Sequence, residues 1–188
     1  MMVEEINKCI EVLKSGGTIL YPTDTIWGIG CDATNKNAVE KIFKIKQREE
    51  SKTFIVLVDR IEMLNKYIKE VPAIAWDLIE TTDTPLTIIY DGAINLAPNA
   101  IAEDGSIAIR ITSDEFCKKL IYRLGKPIVS TSANTSGEST PQNFMEVNPY
   151  ILKAVDHVVE WRQNDLSKSI PSSIIRIKEN GEFKIIRK

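Results

Sequence analysis

Apolar residues in the first stretch recur at the spacing of one helix face. Val3, Ile6, Ile10 and Leu13 lie three or four apart, and Gly16-Gly17 ends the run. Residues 18–21 are short and apolar and end at Pro22, which reads as a buried strand. A second helix is expected to start near Asn37, with Glu40 three residues on in the manner of a capping box and Val39, Ile42 and Phe43 as its apolar face. Residues 53–58 are β-branched and apolar and predict a central strand. Residues 61–80 read as helical with an interruption at Pro72, while 86–90 and 107–111 read as strands. Ser113 is expected to cap a helix carrying Phe116, Leu120, Ile121 and Leu124, closed by Gly125. Another strand follows at 127–131. Residues 173–177 and 183–187 flank Glu179-Asn180-Gly181, where Asn-Gly between alternating runs predicts a hairpin with a type I′ turn. Short strands mixed with helices and closed by a hairpin predict an α/β domain with a twisted, mixed sheet.

Composition narrows the class. A chain of 188 residues with 43% hydrophobic and 27% charged residues suits one globular domain, taken as 1–188, rather than a disordered tail or a rod. The apolar runs are far shorter than a membrane span, and the start Met-Met-Val-Glu-Glu lacks the layout of a secretion signal, so a soluble cytoplasmic protein is expected. The formal net charge is −2, which gives no support for a nucleic-acid coat, although a local basic patch stays open. Cys9, Cys31 and Cys117 are odd in number and widely spaced, with no Cys-x-x-Cys. With His157 the single histidine, a zinc site or a histidine-based triad is nearly excluded. Chemistry here must run on Lys, Arg, Ser, Thr, Asn and Asp.

Four segments could carry it. Tyr21-Pro-Thr-Asp-Thr-Ile-Trp-Gly-Ile-Gly30 offers hydroxyls and backbone N–H groups after a strand, suited to an anionic ligand, though a plain turn explains it as well. Gly28-Ile-Gly-Cys-Asp-Ala33 also spells a dinucleotide fingerprint, but the glycines do not join a strand directly to a helix as that motif requires. Lys44-Ile-Lys46-Gln-Arg48-Glu-Glu-Ser-Lys52 could place Lys46, Arg48 and Lys52 around phosphates. Lys46 and Arg48 converge only if the helix has ended by then, and a solvated charged turn is the plainer alternative. Ile107-Ala-Ile-Arg110 delivers one arginine to a strand end, as an edge charge or as a two-pronged carboxylate anchor. Ser130-Thr-Ser-Ala-Asn134-Thr-Ser-Gly137 crowds hydroxyl and amide groups after a strand with no histidine to activate a serine.

The order and spacing of these segments resemble the YrdC-like family of threonylcarbamoyl-adenylate synthases. The resemblance is carried by Gly-Gly-Thr-Ile-Leu-Tyr-Pro-Thr-Asp-Thr from Gly16, by Lys46-x-Arg48, and by Lys126-Pro-Ile-Val-Ser-Thr-Ser-Ala-Asn134, and it runs from about Gly16 to Arg187. It implies a largely antiparallel mixed sheet with helices around an open electropositive cavity. It also implies formation of threonylcarbamoyl-AMP from L-threonine, bicarbonate and ATP, with Mg²⁺ and release of pyrophosphate. Partner proteins then transfer the group to tRNA, giving threonylcarbamoyladenosine. By the same resemblance Thr25, Arg110, Ser130 and Ser172 would hold threonine. Arg48, Lys52, Ser106, Ser132, Asn134, Thr140 and Arg187 would line the ATP site, with Lys46 beside the phosphates. Lys46 and Arg48 are the expected catalytic pair. Gln47-Arg-Glu-Glu stands where Arg-Pro is usual after the lysine, and 165–170 replaces a glycine-rich approach to Ser172-Ser173. These departures keep two alternatives in view: an RNA-binding module, and a nucleotide-using enzyme with another acyl acceptor.

Overall fold

The computed structural model describes residues 1–48, 54–167 and 170–188. Helix α1 (Met2–Lys14) buries Ile6, Cys9 and Leu13 and leaves Val3 exposed, so its apolar face is turned by one position from the expected one. Strand β1 (Ile19–Tyr21) is wholly buried and is followed by β2 (Gly28–Gly30), which pairs with it antiparallel. Helix α2 (Lys36–Lys46) is capped by Asn35, whose side chain accepts from the Ala38 N–H; Asn37 and Glu40 do not form the cap. Its last turn ends at Gln47 in the left-handed conformation, φ 49°.

Strand β3 (Ile55–Val58) leads through a 3₁₀ turn to short α3 (Leu64–Tyr67) and then α4 (Ala73–Thr81), so the predicted helical stretch is broken before Pro72. Strands β4 (Leu86–Tyr90) and β5 (Ile107–Ile111) have the expected bounds. Helix α5 (Glu115–Leu124) is capped by Asp114 rather than Ser113: its carboxylate accepts from the Cys117 N–H, and Gly125 closes the other end at φ +72°. Strand β6 (Ile128–Ser132), helix α6 (Pro149–Ala154), β7 (His157–Val158), β8 (Ser173–Ile177) and β9 (Phe183–Arg187) complete the chain.

The described residues build a nine-stranded sheet in the order β7-β1-β2-β6-β3-β5-β4-β8-β9. Pairing is mixed and mostly antiparallel: β1–β7, β3–β5 and β4–β8 are parallel and the other five pairs antiparallel. Because side chains alternate between faces, Val56, Val58, Ile109, Ile88, Tyr90, Val129 and Ile177 enter the core on one face. The opposite face receives the polar residues of interest. There the ladders set Arg110 opposite Thr87, Thr87 opposite Ile174, and Ile174 opposite Arg187, so one row across β5, β4, β8 and β9 begins and ends on an arginine.

The Gly28-Ile-Gly30 segment is strand, not a phosphate-binding turn, and its glycines answer a packing demand. A Cβ at Gly30 would lie 2.6 Å from both the Tyr21 ring and the Val129 carbonyl oxygen. Tyr21 is fully buried over this strand, and its hydroxyl donates to Val129 O at 3.2 Å.

Candidate functional site

The polar face of the sheet is hollowed into a cavity of about 270 Å³, lined by Thr25, Arg48, Arg110, Ser130, Ser132, Thr140, Ser172 and Arg187 together with Phe54, Ile55 and Pro171. Eight of the residues singled out in the sequence thus meet in one place, although they come from the β1–β2 loop, the end of α2, three strands and two further loops. The described lining holds three guanidinium groups and no carboxylate. Arg187 donates through Nε and Nη2 to Ser172 O at 2.9 and 2.7 Å, and the Ser172 and Thr87 hydroxyls share a hydrogen bond at 2.7 Å. Burial first, and then the positive charge of Arg110, lowers the pKa of Arg187. Cations that repel one another around a hydroxyl-lined hollow are what a polyanionic ligand would relieve.

Arg110 is 3% exposed, which removes the reading of an edge charge in water. Its Nη2 lies 3.1 Å from Asp24 Oδ1, both side chains being buried, and its Nε has no partner among the described residues. Asp24 is in turn fixed by the backbone N–H and hydroxyl of Ser113, at 2.9 and 3.1 Å. Next to it, Thr23 and Thr25 share a hydrogen bond at 3.1 Å, and the Thr23 hydroxyl accepts from the Thr25 N–H at 3.0 Å. The polar loop is therefore a rigid turn that presents Thr25 to the cavity and a carboxylate to the arginine behind it. Sequence reasoning assigned Thr25 and missed Asp24. The signal was present: Asp24 is the one charge in its loop and Arg110 the one charge in its apolar strand, and a buried charge calls for an opposite partner.

Lys46 and Arg48 part company. Lys46 is 2% exposed, and its ammonium donates to Ser132 O and Asn134 O, both at 2.7 Å. Burial, with a smaller contribution from Arg48, brings its pKa down to about 8. It does not line the cavity beside a phosphate position but clamps the turn after β6. Asn134 serves the same turn: its Nδ2 donates to Thr135 O and Glu138 O, each at 2.9 Å, and it faces a separate hollow rather than the cavity. The reason is the left-handed Gln47, which ends α2 between the two cations and sends Arg48 alone toward the cavity, its guanidinium 4.9 Å above the Phe54 ring. Lys52 lies outside the described residues. Ser106 lies elsewhere too: it donates to Asp104 Oδ1 at 2.6 Å and lines a hollow of about 420 Å³ with Arg176 and Ala108. It precedes Arg110 by four residues, about 13 Å along the strand on the same face.

Among the described residues there is no group of three His, Cys, Asp or Glu side chains placed to hold a metal ion. His157 lies on β7, its Nε2 3.2 Å from Glu5 Oε2, and the three cysteines are free and buried. No helix among the described residues is long and apolar enough to cross a membrane.

Fold and cavity together define an open-sheet α/β protein whose polar face carries a cavity lined by three arginines and five hydroxyl side chains of the residues singled out above. The chain belongs to the Sua5/YciO/YrdC family, described as telomere recombination, whose model matches residues 11–188. It is 32% identical over 170 residues to a threonylcarbamoyl-AMP synthase of Hahella chejuensis, covering 90% of this chain and 91% of that one. Among solved structures it is similar to E. coli YciO, with a TM-score of 0.85 and 25% identity over 100% of this chain and 90% of the other. It also shares the fold of P. abyssi Sua5 complexed with L-threonine, with a TM-score of 0.80 and 23% identity over 94% of this chain. That match spans 52% of the Sua5 chain.

Proposed function

We propose that this protein is a nucleotidyltransferase that forms threonylcarbamoyl-AMP from L-threonine, bicarbonate and ATP, for threonylcarbamoyladenosine formation in tRNA. The observation that carries the reading is the meeting of Arg48, Arg110 and Arg187 with four hydroxyls and Thr25 in one cavity. The name borne by relatives at this level of identity, and the threonine bound by a Sua5 of the same fold, support the substrate set.

In this scheme the carboxylate of threonine sits on Arg110. Asp24 holds that guanidinium in place, and Thr25, Ser130 and Ser172 supply hydrogen bonds around the amino acid. The threonine amine forms a bond to the bicarbonate carbon as a C–OH bond of bicarbonate breaks and water leaves, giving a carbamate that is its own nucleophile. A carbamate oxygen bonds to the α-phosphorus as the bond from that phosphorus to the pyrophosphate oxygen breaks, and pyrophosphate leaves with the electron pair. Arg48 and Arg187 would offset the charge of the phosphates, with Ser132 and Thr140 as donors. Positioning and charge stabilisation suffice without a protein nucleophile. Lys46 and Asn134 act one layer back, by fixing the turn that presents Ser132. Ser106 would touch the nucleotide only where it extends over Ala108 along the sheet. The described lining offers no carboxylate to a resident Mg²⁺, so an ion here would be carried in by the phosphate oxygens and would offset their charge.

Calorimetric titration of threonine into wild type and Arg110→Lys tests the anchor. The lysine keeps the charge and loses the fork, so affinity is expected to fall about tenfold, a loss of roughly 1–3 kcal/mol. Equal affinities would remove Arg110 from the threonine site.

A further inference from the structure

The two ends of the nine-stranded sheet are treated very differently. At one end β7 is two residues long, and a short edge offers little to pair with. At the other end β9 is five residues long, pairs among the described residues only with β8, and is exposed throughout. Phe183, Ile185 and Ile186 are 59%, 51% and 50% exposed, three large apolar side chains within four positions of one strand. There is no proline in β9, and its only irregularity is the register shift opposite Ile174 and Ile175. A long, apolar, uncovered edge is a template for a further strand unless something occupies it.

The charge on this edge selects the occupant. Between Phe183 and Lys188 the charged residues are Lys184, Arg187 and Lys188, all basic. Arg187 turns into the cavity, while Lys184 and Lys188 have no ion pair among the described residues. A second copy pairing antiparallel through its own β9, centred between Ile185 and Ile186, would set Lys184 opposite Arg187, and like charges directly opposed disfavour such a strand pair. We infer that the free edge of β9 is a docking site for an extended, acidic segment of a partner protein, added as a tenth strand. Backbone hydrogen bonds would supply the affinity. Carboxylates beside Lys184, with apolar residues against Phe183 and Ile185 on the opposite face, would supply the selectivity. Nothing in this inference depends on the reaction proposed above.

The test uses the whole chain, ¹⁵N-labelled, and two synthetic eight-residue peptides, one alternating Glu and Val and one alternating Lys and Val. Amide shifts and hydrogen exchange are followed along β9. The Glu peptide is expected to bind about tenfold more tightly than the Lys peptide and to slow exchange of the outward β9 amides. Lys184→Glu, an exposed change that leaves the melting curve in place, is expected to remove that preference. Sedimentation of the free protein is expected to give a monomer. Equal affinity for both peptides, binding without protection of β9, or a dimer whose β9 amides are already protected would each overturn the proposal.

Discussion

Asp24 and Arg110 form a buried pair, and neither is easily removed without stranding the other. Taking away one partner of such a pair costs about 3–5 kcal/mol, because the survivor stays buried and charged. Asp24→Asn keeps the shape and the hydrogen bonds from Ser113 but withdraws the charge that orients Arg110. It should lower stability to urea and weaken threonine binding, while ATP affinity, which in the proposed scheme draws on Arg48, changes little. Parallel titrations with threonine and ATP decide this, and an equal loss for both ligands would mean general collapse rather than a lost anchor. Lys46 gives a second test at this scale. Its pKa is about 8 in the folded protein because of burial, against about 10.4 in an unfolded chain. Between those values the unfolded chain binds more protons than the folded one, so stability should rise with pH from this group. Buried Cys9, Cys31 and Cys117, whose pKa values are raised by desolvation, oppose that trend from about pH 8.5, where thiols of the unfolded chain begin to ionise, and buried Tyr21 and Tyr90 add to the opposition above about pH 10. Lys46→Met should melt lower at every pH, since Ser132 O and Asn134 O lose their donor, and its shortfall against wild type should widen between about pH 8 and 10. An identical slope in the variant would detach the effect from Lys46.

At the level of elements, the terminal hairpin turned out to use different chemistry from that predicted. Lys178 O accepts from Gly181 N at 2.9 Å and Lys178 N donates to Glu182 O at 2.8 Å, while only Gly181 has positive φ, at +83°. This is a three-residue loop, a type I turn followed by a left-handed glycine, rather than a type I′ turn. Gly181→Ala should therefore cost about 1 kcal/mol, whereas Asn180→Ala, which loses only the bond from Glu182 N, should cost a few tenths. Urea denaturation of the two variants checks it, and equal costs would point back to a type I′ turn. The bounds of β4, β5, β8 and β9 were legible because each alternates or is continuously apolar between clear breakers. Strand β2 was not, because Gly-Ile-Gly has no strand preference of its own and is held by Tyr21 packing across it. Strand β7 is two residues long, and its pairing is fixed from Thr18, 138 residues earlier than Asp156. The helix caps were misplaced by one or two residues because Asn35 and Asp114 compete with equally good cap types beside them.

Across the whole molecule, the motifs were legible as a set long before their roles were. Eight of the twelve residues marked in the sequence line one cavity. Those that do not, Lys46, Asn134 and Ser106, are polar residues engaged by their own neighbourhoods, a distinction that depends on which way the chain turns at Gln47 and along β5. Lys52 is outside the described residues. The central claim is that this cavity joins three substrates into one adenylate, and it is tested most directly by looking for that product. The purified protein is incubated with ATP, Mg²⁺, ¹³C-bicarbonate and L-threonine, and the mixture is examined by mass spectrometry with pyrophosphate measured alongside. Threonylcarbamoyl-AMP carrying a single ¹³C is expected, formed in step with pyrophosphate and only when all three substrates are present. Pyrophosphate release that ignores threonine, or no adenylate from a protein that binds both threonine and ATP, would contradict it.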